Sequence, residues 1–315
     1  MKSTRQTGFT LLETMIAMVI LLAVSAIVMA GVVKSLNTQG SISNRTQMHT
    51  SVRSATEVLQ QEIGQAGRVS LPNTGATGQG VTMTGPVSPG VQTATLSSTS
   101  GMYTGMLLDV ENGSNFEVVT ITAIAGNTIT AYFQNSHPNG TIPVAVTGSF
   151  GTGVIPPSAA PASYANGSTG TVLKLYGDIN RDGSVLYVEY TCSPGTQAAP
   201  GFLYRNQMSY TTILKPAVDS SKVLLNNLLS NPNNTPCFTY QVAQANGQYF
   251  VTDVAITLTV QTQNLDPVSK QYQSETKALL NVSPRNIFYI WELYSLGQVP
   301  RNQPTPANIT SLISQ

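Results

Sequence analysis

The feature that most constrains this chain is a long apolar stretch close to its N-terminus, residues 9–33. It reads FTLLETMIAMVILLAVSAIVMAGVV and follows a short basic segment, MKSTRQTG, at residues 1–8. At about 1.5 Å of rise per residue, a helix of this length crosses a hydrocarbon core of about 30 Å. Lys2 and Arg5 are expected to stay in the cytoplasm, which places the remainder of the chain across the membrane. A signal peptide would have a shorter apolar core closed by a small-residue cleavage site, and the stretch does not show that pattern.

One carboxylate, Glu13, lies inside this apolar stretch. A charged side chain deep in a bilayer costs about 2.5–3.5 kcal/mol on insertion scales, so an acid there implies a partner, and an amine is the nearest candidate. The alternative is a generic single-pass anchor that contains a chance glutamate.

Residues 8–13, GFTLLE, resemble the processing motif of type IV prepilins. The resemblance implies cleavage between Gly8 and Phe9 by a prepilin peptidase, N-methylation of Phe9, and pairing of Glu13 with the N-terminal amine of a neighbouring subunit. It also implies other pilin subunits and the inner-membrane pilus assembly machinery as partners. The expected location is the inner membrane before assembly, as a single-pass protein, and then a pilus or pseudopilus with a periplasmic or extracellular head.

The apolar stretch continues without proline through residues 34–70, where apolar positions recur at spacings of three or four along one helix face. These positions are Met48, Val52, Ala55, Leu59, Ile63 and Ala66. The pattern predicts one helix of nearly sixty residues, about 85 Å long. Gly40 weakens it locally, and a coiled-coil stalk is the alternative. Residues 57–69, EVLQQEIGQAGRV, resemble the end of this helix in minor pilins and pseudopilins of the PilW and PulJ kind.

The rest of the chain predicts β structure, so the expected fold class is α+β, with the long helix packed on an antiparallel β-sheet head. We expect an irregular connection at residues 71–104, an inserted β module at 105–150 and a linker at 151–170. A C-terminal β head at 171–286 and a tail at 287–315 complete the chain. The tail is expected to form a short apolar helix on the head, and its alternative is a contact surface for a partner.

Two cysteines, Cys192 and Cys237, lie in the predicted C-terminal head. In an exported protein, two cysteines in one domain usually pair, which predicts a disulfide. Two buried free thiols are the alternative, and they would be favoured in a cytosolic protein.

One loop carries a metal-ligand pattern. Asp178, Asn180 and Asp182 precede Gly183 as D-x-N-x-D-G, and Glu189 lies at the twelfth position of the corresponding calcium loop. The flanking sequences predict strands and not helices, so an EF-hand is excluded. Calcium is the cofactor that such a loop would hold, and a polar hairpin turn that favours Asp-Gly is the alternative.

Little else indicates chemistry. Only 9% of residues are charged and the net charge is +1, so a broad nucleic-acid surface is not expected. The two histidines, His49 and His137, lie outside nucleophile motifs, and His137 is expected to pack in a loop. We therefore expect a structural protein and not an enzyme: a minor pilin that initiates, caps or modulates a type IV pilus. The alternatives are a pseudopilin of a type II secretion system and an adhesin displayed on a pilus.

Overall fold

The computed structural model describes residues 8, 10–72, 80–297 and 301–315. The described chain forms two compact units, one running up to Thr50 and including Gln261–Ser274, the other made of Ser51–Val260 and Glu275–Gln315. Helix α1 spans Leu11–Gln65. The other elements are β1 Thr82–Thr84, β2 Gly90–Leu96, β3 Leu107–Val110, β4 Glu117–Ala125, β5 Thr128–Phe133, β6 Thr141–Val146, β7 Val172–Gly177, β8 Leu186–Ser193, β9 Gly201–Ser209, β10 Val223–Leu229, β11 Phe238–Ala245, β12 Gln248–Gln261, β13 Ser274–Val282, α2 Arg285–Ser295 and α3 Ala307–Ser314.

The first part of α1 is exposed at every position from Leu11 to Leu36. Among the described residues, α1 is the one helix whose length and composition suit a membrane crossing. The later part carries the predicted stripe, because Met48, Val52, Ala55, Leu59, Ile63 and Ala66 are all buried. The long helix and its amphipathic second half are therefore confirmed.

The end of α1 is joined to the head through Gly67. Its N–H donates to the Tyr176 carbonyl at 2.9 Å, and its carbonyl accepts the Phe150 N–H at 2.8 Å. Gly67 has a φ of +78°, and a Cβ there would lie 2.6 Å from the Phe150 oxygen. Only glycine meets both conditions without strain, so this residue fixes where the helix stops.

Strands β1 to β6 close into a barrel in the order β1-β2-β5-β4-β3-β6. Closure comes from pairing of β1 with β6, where Met83 lies opposite Ile142. Inward-facing residues alternate with exposed ones along the strands, as the period of a β-strand requires. The buried set includes Met83, Leu96, Leu108, Val119, Ile129 and Phe133, and it continues into the aromatic residues Phe150, Tyr176 and Tyr187.

Strands β7 to β13 form a seven-stranded sheet in the order β11-β12-β10-β9-β8-β7, with β13 on β12. The described pairings of this sheet are antiparallel. Glu62 of α1 bonds to Tyr190 of β8 and Arg205 of β9, so the second half of the helix lies on this sheet. The expected α+β class, a long helix followed by antiparallel β structure, is confirmed.

The two end strands of this sheet approach one another. The Phe238 N–H donates to the Gly170 carbonyl at 3.0 Å, and the Tyr240 hydroxyl donates to the carbonyls of Thr169 at 2.9 Å and Val172 at 3.2 Å. The sheet therefore curls until the start of β11 reaches the segment that leads into β7.

Two expectations about connections were wrong. The region 71–104 was expected to be irregular, yet β1 and β2 lie in it and belong to the barrel. The reason is that these strands are short, lie in a Gly-rich region and become regular only by pairing with β5 and β6. The region 151–170 was expected to be a free linker. Instead Val154 and Ile155 are buried, and the Ile155 N–H donates to the Lys174 carbonyl at 2.9 Å along the edge of β7.

The tail forms α2 and α3, and both bury one apolar face: Ile287, Ile290 and Tyr294 in α2, and Ile309, Leu312 and Ile313 in α3. The expected helical packing is thus observed. Gln303, just before α3, is buried and its side chain bonds to both backbone groups of Leu107, at 3.0 and 2.7 Å, and to the Thr147 carbonyl at 2.7 Å. The tail is consequently hydrogen-bonded to the barrel where β3 begins and β6 ends.

Candidate functional site

The first candidate site is the beginning of α1. Thr10 precedes the first helical residue, and its N–H and its hydroxyl both donate to Glu13 Oε2 at 2.9 Å. The Glu13 N–H in turn donates to the Thr10 hydroxyl oxygen at 3.3 Å. These reciprocal bonds form a capping box, which satisfies donors that the helix start leaves free. An amine was expected as the partner of Glu13, and the bonds to Thr10 were missed, although the T-x-x-E spacing is their signal.

The predicted cleavage and methylation concern Gly8 and Phe9. Gly8 is exposed, whereas Phe9 and the leader residues 1–7 lie outside the described residues. Pairing of Glu13 with a neighbouring amine involves a second subunit, so it stays a prediction. The capping box shows what that carboxylate does within one chain.

The second feature is the apolar surface of α1 itself. Large side chains such as Leu11, Ile20 and Ile27 are more than half exposed. A surface of this length is not stable against water, because each fully exposed aliphatic side chain forgoes about 1.5–3 kcal/mol of burial. It therefore requires lipid or other apolar helices around it.

In the head, His137 is fully buried between two carboxylates. Its Nδ1 lies 2.6 Å from Glu111 Oε2, and its Nε2 lies 2.7 Å from Glu117 Oε1. Glu117 also accepts the backbone N–H of Gln134 at 2.7 Å and of Asn135 at 3.1 Å. Each ring nitrogen therefore has one carboxylate as its hydrogen-bond partner, so the three side chains form one continuous network.

This trio joins the barrel strands and is unsuited to a metal ion. The two carboxylates approach opposite ring nitrogens, so they cannot converge on one cation together with the imidazole. The hydrogen bond from His137 is the main cause that lowers the pKa of Glu111. The expected packing role of His137 is confirmed by its burial, but its two glutamate partners were missed because they lie 26 and 20 residues away in sequence.

The structure does not assemble the predicted calcium site. Asp178 is buried, where it accepts the Ser70 hydroxyl and the Asp182 N–H and lies 3.9 Å from Arg68 Nε. Asn180 is exposed, and Asp182 accepts the Ser184 N–H at 2.8 Å. Within the described residues, no group of three or more His, Cys, Asp and Glu side chains is arranged to hold a metal ion. The geometry is that of a polar turn.

Glu189 was wrongly included in that set. It lies in β8, where it pairs with Lys174 and Asn206 of the adjacent strands. Its Oε2 accepts the Lys215 ammonium and the Tyr187 hydroxyl, each at 2.9 Å. Because the Glu189 carboxylate lies in β8 and is paired with Lys215, it is not available to the loop.

A second buried ionic cluster attaches α1 to the sheet. Glu62 accepts the Arg205 guanidinium, with Nε 3.0 Å from Oε1, and also the Tyr190 hydroxyl. Burial, and then the neighbouring Glu62 carboxylate, raise the pKa of Tyr190 above its ordinary value. In a chain with so few charges, an acid on the apolar helix stripe was the available signal for this cluster.

The predicted disulfide is present. Cys192 of β8 and Cys237, just before β11, are bonded, with 6.5 Å between their Cα atoms. Both are buried. The bond joins parts of the sheet that are not neighbours in its strand order, and it reinforces the curl described above.

Comparison with known proteins identifies the N-terminal segment. Residues 3–32 match the family model described as a prokaryotic N-terminal methylation motif. No curated protein and no solved structure matches the chain. The motif and the long apolar helix that follows it are the features of a type IV pilin-like protein, and they support that class for this chain. The motif implies processing by a prepilin peptidase and assembly with other pilins, and the apolar helix is consistent with membrane anchoring before assembly.

Proposed function

We propose that this chain is a structural minor pilin, not an enzyme, which is inserted in the inner membrane, cleaved between Gly8 and Phe9, and assembled into a type IV pilus. There it initiates, caps or modulates the filament. The observation that carries the proposal is α1: a methylation motif leads into a helix whose first part exposes apolar side chains and whose second part is buried on a β head. The resemblance of residues 57–69 to PilW-like and PulJ-like subunits supports the minor role.

The first test is processing. Gly8→Glu should block cleavage, because the small residue before the cleaved bond is replaced by a bulky charged one. Mass spectrometry of sheared filaments should find a mature chain that begins with N-methylated Phe9, in amounts well below those of the main pilin. An intact Met1 terminus in assembled material would refute the processing step, and amounts equal to the main pilin would refute the minor role.

The second test is assembly. Glu13→Ala removes a carboxylate from the bilayer and should leave insertion intact while impairing incorporation into filaments. Glu13→Gln is the matched control, because its amide oxygen can still accept the Thr10 bonds of the capping box but carries no charge. If capping alone matters, Gln restores assembly. If pairing with an amine matters, Gln fails as Ala does.

There are two alternatives, one of the same class and one of a different class. A pseudopilin of a type II secretion system would carry the same N-terminal motif, and gene neighbourhood discriminates it from a pilus subunit. An adhesin displayed on a pilin stem is favoured by one observation, the closed barrel that β1 to β6 add to the head. The test is to substitute exposed residues of the barrel and to measure surface binding by fluorescently labelled filaments. Loss of binding with normal assembly would support display.

A further inference from the structure

The hairpin of β12 and β13 ends in a compact turn, residues 264–270, which we call the hairpin tip. The Asp266 carboxylate organises it by accepting the N–H groups of Val268 at 2.9 Å and Ser269 at 2.7 Å. The Gln273 amide donates to the same carboxylate at 2.8 Å, and the Lys270 N–H donates to the Asp266 carbonyl at 2.9 Å. The tip is therefore held in one conformation by its own bonds.

The hairpin tip is fastened to α1 at a definite level. The Ser41 hydroxyl donates to Asp266, and this bond is the main cause that lowers the pKa of Asp266 to about 2. The Asn44 side chain reaches the Leu265 carbonyl at 3.4 Å, and a Cβ on Gly40 would lie 3.0 Å from Pro267. Gly40, which weakens the helix, thus permits the close approach of the tip.

From this attachment the hairpin tip points towards the apolar end of the helix. Pro267, Val268 and Lys270 line a groove of about 900 Å³ together with the helix residues Ala26, Met29, Ala30, Val33 and Lys34. If the helix enters the hydrocarbon near residue 9, it crosses the core of about 30 Å and leaves it near residue 29. Val33 then lies roughly 6 Å beyond the core, within the headgroup region. Val268 shares its groove with this part of the helix.

The surface chemistry of the hairpin tip suits this level. Val268 is 68% exposed and Leu265 is 48% exposed, so the tip presents two aliphatic side chains on its surface. Beyond the apolar stretch, the exposed charged residues in this unit are the cations Lys34, Arg45 and Lys270, while the one acid, Asp266, is buried. Exposed aliphatic side chains flanked by lysines are typical of a surface that lies in an anionic membrane interface.

We propose that the hairpin tip is a second membrane contact: before assembly, Leu265 and Val268 enter the headgroup region of the outer leaflet, and Lys34 and Lys270 bind anionic lipid. This inference rests on the proposed membrane insertion of α1. Its consequence is that the chain holds the bilayer at two points, which limits rotation of the helix about its own axis. The competing occupant of the same groove is the helix of another subunit, and the experiment below separates the two.

The test uses the full chain in vesicles of phosphatidylcholine with and without phosphatidylglycerol. Because Cys192 and Cys237 are paired, Val268→Cys supplies a single reactive thiol for an environment-sensitive fluorophore. The helix supplies a depth scale at about 1.5 Å per residue, with the label at Val19, Leu36 or Thr46 in turn. Quenching of the Val268, Leu36 and Thr46 labels is measured with lipids that carry a spin label near the headgroup, and quenching of the Val19 label with lipids that carry it deep in the acyl chain, all at low protein density.

We expect the Val268 label to be quenched as strongly as the Leu36 label, and about threefold more strongly than the Thr46 label, which lies roughly 15 Å further along the helix. Lys270→Gln should reduce about fivefold the increase in Val268 quenching that phosphatidylglycerol causes. Asn264→Cys is the matched control on the polar side of the same tip, and it should be quenched less than Val268.

Quenching of Val268 no stronger than that of Thr46, with Val19 strongly quenched, would overturn the inference and leave the membrane-spanning helix intact. A second result would also overturn it: the Val268 label shows no lipid quenching at low protein density and is shielded from aqueous iodide only at high protein density. That result would indicate that a neighbouring subunit occupies the groove. A Val19 label without lipid quenching would overturn the insertion itself and with it the proposed function.

Discussion

The barrel of β1 to β6 and the sheet of β7 to β13 solve the same problem in different ways. Each curls until its end strands meet, because free strand edges are prone to pair with other chains. The barrel completes its circle with a backbone ladder between β1 and β6. The sheet completes its curl with a disulfide, a tyrosine hydroxyl and one backbone bond at Phe238.

The difference concerns what each closure depends on. A ladder needs only strands of the correct register, so the barrel tolerates varied side chains on its outer face. The sheet depends on a few particular side chains and on an oxidising compartment for its cysteines. The barrel has a different dependence, which is the hydrogen-bonded trio of the buried His137 with Glu111 and Glu117.

The largest expected effect comes from opening the sheet. Replacing both Cys192 and Cys237 with alanine should lower the free energy of unfolding by about 4 kcal/mol, because the bond closes a loop with a sequence separation of 45. Denaturant titration of the chain in detergent micelles measures the total loss. Hydrogen exchange should show a loss of amide protection in β11 and not in β2 or β5. Equal loss of protection in the barrel would mean that the two β regions unfold together, and the comparison would fail.

The next effect concerns the barrel. Glu117→Ala should lower the free energy of unfolding by about 3 kcal/mol, because it leaves the buried His137 ring and two backbone N–H groups without their acceptor. Protection from hydrogen exchange should here fall first in β4 and β5. Glu111→Ala is the matched control with a smaller loss, since Glu111 is more exposed than Glu117. Similar losses for the two variants would contradict the assignment of Glu117 as the principal anchor.

A smaller effect is expected from the hydroxyl that helps to close the sheet. Tyr240→Phe keeps the ring and removes a donor to the carbonyls of Thr169 and Val172. The expected cost is about 1 kcal/mol, the usual net value of one hydrogen bond. The thermal midpoint measures it, and in the background without cysteines the same substitution should cost more, because the hydroxyl then holds the closure with less help.

The smallest effect is the acid dependence of the barrel. The pKa of Glu111 is lowered in the folded chain, chiefly by its hydrogen bond with His137, so folding favours its ionised form. The resulting stabilisation is fully present above the ordinary carboxyl pKa of about 4.3 and is lost as the pH falls through the lowered folded value. Protection factors of barrel amides, which correct for the intrinsic pH dependence of exchange, should therefore fall in that acid range, and Glu111→Gln should flatten the dependence. An unchanged dependence in that variant would assign it to another group.

The long helix could be predicted from the sequence because its signals are local. An apolar run long enough for a bilayer and a stripe repeating every three or four residues both follow from the rise and period of a helix. The same holds for the turn of Gly126 and Asn127 between β4 and β5, since a glycine at positive φ suits a two-residue hairpin. The cysteine pairing followed from the inferred compartment. These features need no knowledge of distant parts of the chain.

The tertiary structure decided what depends on partners far along the chain. Strand β1 has only three residues, and it becomes a strand because β2 and β6 lie on either side of it. His137 could be seen as a packing residue, but Glu111 and Glu117 become its partners only when the barrel closes. Glu189 fitted a calcium loop by spacing alone, but in the folded chain it forms an ion pair with Lys215 instead. Spacing along the chain fixes which residues can meet locally, whereas strand pairing fixes which side chains share one buried volume.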